Sequence, residues 1–66
     1  MSVAKTIEIT ATSKKSFDDA LQAGIAKASQ SLQGVSGAWV MDQYVEVNKG
    51  KIAGYNVRMR VTFLLK

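Results

Sequence analysis

The stretch "YNVRMRVTFLLK", residues 55–66, decides the fold. Tyr55, Val57, Met59, Val61, Phe63 and Leu65 fall on one parity. Asn56, Arg58, Arg60, Thr62, Leu64 and Lys66 fall on the other. Side chains alternate across a strand, so this is a strand with an apolar face and a polar face. The segment before it, "NKGKIAG" (48–54), holds Asn and two glycines and reads as a turn. Residues 36–48 then form a second long strand, and the two make a hairpin. One parity of that strand carries Gly37, Trp39, Met41, Gln43, Val45 and Val47; the other carries Ala38, Val40, Asp42, Tyr44 and Glu46. Both parities are partly apolar, which predicts burial on both faces along the first half.

Upstream, residues 17–33 repeat apolar side chains at helical spacing: Phe17, Leu21, Ile25, Ala28 and Leu32, with Ala20 and Gly24 on the same stripe. Gly24 inside a helix costs about 1 kcal/mol against Ala, so its place on the stripe points to a neighbour that comes close. Ser16 with Asp18 and Asp19 in the first turn resembles a capping box and suits the helix dipole. Gly34 is a candidate left-handed residue at the helix end. Residues 3–10, "VAKTIEIT", alternate as a first strand, followed by a polar turn over 11–16. The order is β-α-β-β: an α+β domain spanning residues 1–66, with a three-stranded antiparallel sheet packed on one helix.

One helix covers only one face of such a sheet. The other face holds Asn56, Arg58 and Arg60 with Trp39 and Met41, and exposed aromatic and Met surface calls for a partner. A chain of 66 residues, 47% of them hydrophobic, buries too little alone. Small domains gain stability from disulfides, metals or self-association. With no Cys and no His, disulfides and Cys/His zinc sites are excluded, which leaves a homo-oligomer.

The same absences remove the common nucleophile–base arrangements, so no enzyme is expected. "QGVSGAW" lacks the Lys of a phosphate loop and the spacing of a dinucleotide fingerprint. Asp42 and Glu46 share a parity and could hold a divalent cation through oxygen ligands; solvated or Lys-paired carboxylates are the commoner outcome. The net charge is +4, and Lys49, Lys51, Arg58 and Arg60 follow the last acid, Glu46. That invites nucleic acid only through non-specific charge, since no binding motif accompanies it, and a solvated basic face is the plainer reading. No run approaches the ~20 apolar residues of a membrane span. No signal-peptide core is seen, and a cytoplasmic protein is expected. Trp39, the one Trp, is then either an inter-subunit packing residue or a stacking platform for a flat ligand. Asn56, with donor and acceptor, could pair with an amide-like ring edge.

Taken together, "TSKKSF" (12–17), "ALQAGIAKASQSL" (20–32), "DQYVEV" (42–47) and "YNVRMRVTF" (55–63) resemble the dodecins across essentially the whole chain. The resemblance implies a hollow homododecamer that stores or buffers flavin, FMN or riboflavin, and quenches its photochemistry without turning over a substrate. It also implies a Trp early in the second strand stacked on the isoalloxazine ring. A Gln after a Tyr in the third strand would read the pyrimidine edge, and two-fold related subunits would share the pocket. Aligned without a gap, the family's Trp position holds Gly37, and Trp39 lies two residues on, ~6.5 Å along the same face. The family's Gln position holds Asn56. Two readings follow. In one, Trp39 stacks, Asn56 pairs with the ring edge, Gln43 on the parity of Trp39 assists, and Arg58 or Arg60 meets the FMN phosphate. In the other, the assembly holds no flavin and has a structural, cation-binding or other small-ligand role, as a calcium-binding relative suggests.

Overall fold

The computed structural model describes residues 2–65; Lys66, the expected end of the last strand, lies outside them. The order is β1 (Val3–Ser13), α1 (Phe17–Ser31), β2 (Val35–Asn48) and β3 (Lys51–Leu65). All pairing is antiparallel, and β3 is the central strand, between β1 and β2. Each strand outruns its expected bounds. β1 continues through Ala11–Ser13 because those residues pair with Val57–Tyr55. The expected seven-residue turn shrinks to Lys49-Gly50, both at positive φ (53° and 77°), the signature of a two-residue hairpin whose twist matches its strands.

α1 begins where expected. The Ser16 side chain accepts from the Asp19 N–H at 2.9 Å. Ser13 adds a buried brace. Its hydroxyl accepts from the Lys15 N–H at 2.9 Å and donates to Asp19 Oδ2 at 2.6 Å. The helix ends earlier than expected, at Ser31, because Leu32 is already extended. Gly34 does take the left-handed conformation, φ 76°, but beyond the cap, where it turns the chain into β2 and its carbonyl accepts from the Leu64 N–H at 2.9 Å.

The core lies between α1 and one face of the sheet. Val57, Met59 and Val61 are fully buried, as the alternation of β3 requires. From the helix, Ala20, Gly24 and Ala28 go deepest. The larger Phe17, Leu21, Ile25 and Leu32 are half-buried and flank that line. Small residues at every fourth position let the helix sit close on the sheet: a Cβ at Gly24 would lie 2.7 Å from Met59 Cε and 3.0 Å from Ala11 Cβ. Phe17 and Tyr55 close one end edge-to-face, centroids 5.1 Å apart.

β2 departs from expectation. Instead of being buried on both faces, nearly all of it is exposed, since α1 lies over β1 and β3. The subunit is also long, with extents of 51 × 19 × 13 Å. Its radius of gyration is 13.5 Å, against about 11 Å for a compact chain of this length. Among the described residues, no helix is long and apolar enough to cross a membrane.

Candidate functional site

The sheet face away from the helix is bare, and its composition follows from register. Residues directly opposite in an antiparallel pair share a face. Thr62, Arg60, Arg58 and Asn56 of β3 therefore bring Gly37, Trp39, Asp42 and Tyr44 from β2, and Thr6, Glu8, Thr10 and Thr12 from β1. Gly37 stands opposite Thr62 and Trp39 opposite Arg60, with no irregularity between them, so the two share the outer face as expected.

Beyond Trp39 the simple parity fails. The register shifts between Val40 and Asp42, leaving Met41 as an extra residue. A bulge of this kind exchanges the faces of everything after it. Asp42 and Tyr44 move to the outer face beside Trp39. Gln43 moves off it and stands opposite Val57, on the helix side. The expectation that Gln43 shares a face with Trp39 is thus overturned by one inserted residue. Val45, opposite Tyr55, follows it.

Asp42 on this face meets Arg58. Arg58 Nε donates to Asp42 Oδ1 at 3.0 Å and Nη2 to Oδ2 at 2.7 Å, a bidentate fork. Glu8 lies across β3 from Asp42, 3.9 Å from Arg58 Nη1 and 3.4 Å from Arg60 Nε. The hydrogen bonds that Arg58 donates to Asp42, then the Asp42 and Glu8 charges, push the Arg58 pKa up from its ordinary value. The ladder Glu8–Arg58–Asp42 neutralises Arg58 and occupies both oxygens of Asp42, so a cation on Asp42 and Glu46 would have to displace Arg58. Among the described residues, no three acidic side chains group as metal ligands. Among the described residues Arg60 makes one 3.4 Å contact, through Nε to Glu8, which leaves its Nη donors to spare, and it stands directly opposite Trp39.

Trp39 is 68% exposed. With Gly37, Thr62, Ser36 and Ala38 it lines a groove of about 360 Å³. Gly37 opens that groove: a Cβ there would meet nothing within 4 Å. Asn56 lines a different groove, also about 360 Å³, with Thr10, Asp42, Gln43, Tyr44 and Arg58. Four residues of β3 separate Asn56 from the partner of Trp39, or ~13 Å. A single chain therefore holds Trp39 with Gly37 and Arg60, and Asn56 with Arg58. Tyr44, 66% exposed and opposite Asn56, is an aromatic that the sequence reading left out. The signal for it was the bulge, which only the pairing with β3 reveals.

This architecture is shared with known proteins. The chain superimposes on a dodecin from Streptomyces davaonensis with a TM-score of 0.93 and 32% identity, over 98% of this chain and 96% of that one. A dodecin variant from Thermus thermophilus gives 0.93 and 26%, over 100% and 98%. Calcium dodecin, a calcium-chelating antigen from Mycobacterium tuberculosis, gives 0.83 and 31%, over 97% and 91%. No curated protein matches the sequence. The Dodecin family model matches residues 3–66, so the chain belongs to the dodecin family.

Proposed function

We propose that this protein is a non-enzymatic flavin store: a cytoplasmic, hollow homododecamer that binds FMN or riboflavin where subunits meet. The observation that carries the reading is the bare indole of Trp39, 68% exposed beside the open space at Gly37. A flat ring gains most by stacking on such a surface. Self-association is supported by area. The chain exposes 5031 Å², against about 4100 Å² for a compact monomer of its mass. Because Trp39 and Asn56 of one chain are ~13 Å apart, a ring that uses both takes them from two subunits. Arg60 supplies the charge for an FMN phosphate, so FMN binding weakens with salt more than riboflavin binding does.

The test is titration of the purified assembly with riboflavin and FMN. Flavin fluorescence is expected to be quenched, Trp39 emission with it, and both effects to vanish in Trp39→Ala. Unquenched flavin at saturating concentration refutes the reading.

Gly37 favours a second reading, a dodecin shell without flavin, because glycine cannot stack at the family's Trp position. The likeness to calcium dodecin adds a cation as one alternative ligand. On this reading Gly37→Trp with Asn56→Gln creates flavin binding in a protein that had none. A double variant that still leaves riboflavin fluorescent counts against it.

A further inference from the structure

We propose that Glu8 sets the ligand specificity of the outer face. It holds the Arg60 guanidinium on the side away from Trp39, and only a ligand whose own anion displaces Glu8 gains Arg60. The class selected is a planar ring bearing a phosphate monoester over the same ring without one. The inference rests on the flavin reading for the ring, and on Glu8 and Arg60 for the anion.

Glu8, Arg60 and Trp39 form one row across the sheet, with Glu8 opposite Arg60 on β1 and Trp39 opposite it on β2. Arg60 Nε donates to Glu8 Oε1 at 3.4 Å, which draws the guanidinium towards β1. That contact is long for a hydrogen bond, and both side chains are about half exposed, 53% for Arg60 and 45% for Glu8. An exposed ion pair of this kind is weak. A phosphate monoester brings about −1.5 to −2 charge and three acceptor oxygens against the single charge of Glu8, so it wins the exchange. Arg58 gives the displaced carboxylate a place to go. Asp42 takes Nε and Nη2 of Arg58. Nη1 stays outside that fork, 3.9 Å from Glu8 Oε2. Glu8 thus stands between two guanidiniums and can leave one for the other. A neutral ligand offers nothing in exchange, and Arg60 stays with Glu8. Among the described residues, no other acid pairs with Arg60. The neighbours of Glu8 on the same face of β1, Thr6 and Thr10, are uncharged, so the charge of that strand face is Glu8 alone. Glu8 acts through Arg60 and is a positioning residue.

The experiment titrates the assembled protein with FMN and with riboflavin, each followed by flavin quenching, and reads the ratio of the two affinities. Glu8→Gln keeps the size of the side chain and removes its charge. Glu8→Thr copies Thr6 and Thr10 and decides if Glu8→Gln fails to assemble, which light scattering reports. Either variant is expected to raise the preference for FMN over riboflavin about threefold. In Arg60→Gln the preference falls below wild type, and adding Glu8→Gln to it gains less than about 1.5-fold. An unmoved preference in the neutral variants overturns the proposal. So does an equal gain with and without Arg60, which would make Glu8 a plain repelling charge. Inorganic phosphate, the second probe, separates this inference from the flavin store. It is expected to shift the Arg60 Nε–H NMR signal at about threefold lower concentration in Glu8→Gln than in wild type. That result with both flavins left fluorescent sinks the flavin store and leaves the role of Glu8 standing. Quenched flavins with an unmoved preference do the opposite.

Discussion

Substitution of Gly24 by Ala sets two known effects against each other. In an exposed helix the change gains about 1 kcal/mol, because Ala loses less backbone entropy on folding. Here the added methyl would lie 2.7 Å from Met59 Cε, 3.0 Å from Ala11 Cβ and 3.4 Å from Met59 Sδ. The first contact is closer than atoms tolerate. Met59 Cε ends a flexible side chain, but Met59 is 0% exposed and has Val57 and Val61 packed into the same core, so its swing is costly. Ala11 is fixed to an edge strand. Overpacking of this kind costs about 1–3 kcal/mol. The balance is a net loss of about 1 kcal/mol. Met59→Leu shortens the side chain at nearly constant volume, and Gly24→Ala should cost at least ~0.5 kcal/mol less in that background. The assay is guanidinium denaturation of all four proteins at one protein concentration, since association contributes to apparent stability. A higher midpoint for Gly24→Ala, or equal costs in both backgrounds, refutes the argument that close helix–sheet approach requires glycine here.

Other outcomes follow from local geometry. Ser16→Ala removes the N-cap bond to the Asp19 N–H and should lower stability by about 1 kcal/mol, read by denaturation; no change would mean water replaces the cap at no cost. Lys49→Asn should raise stability by about 0.5 kcal/mol, because Asn accepts the positive φ of 53° that Lys resists. Asp42→Asn breaks the fork to Arg58, and its small effect should shrink further in high salt. The sign with pH follows from the raised Arg58 pKa. A raised pKa contributes stability that is complete below the ordinary arginine range and is lost only as pH climbs through the raised value. The gap between wild type and Asp42→Asn should therefore stay level from neutral to mildly alkaline pH; a gap closing there contradicts the assignment.

The element order, the helix start at Ser16 and the buried trio Val57, Met59 and Val61 were legible from the sequence. So was the close contact at Gly24. These depend on local periodicity and capping, which neighbouring residues carry by themselves. Strand lengths were read short at Ala11–Ser13 and Lys51–Gly54 because polar and Gly-containing strand ends resemble turns until a partner strand hydrogen-bonds them.

The site divides in the same way. Gly37 and Trp39 were correctly placed on one face, because nothing interrupts the alternation between them. Gln43, Asp42 and Tyr44 were not, because the extra residue at Met41 exists only in the pairing of β2 with β3. The sequence by itself determined which segments are strands, which is the helix, and which side of β3 is apolar, since side-chain period is a property of the chain alone. Only the tertiary structure decided that Asp42 grips Arg58, that Tyr44 faces Asn56, and that Trp39 and Asn56 lie in separate grooves. Register and bulges are set by hydrogen bonds between strands, and one inserted residue exchanges the faces of all that follow it.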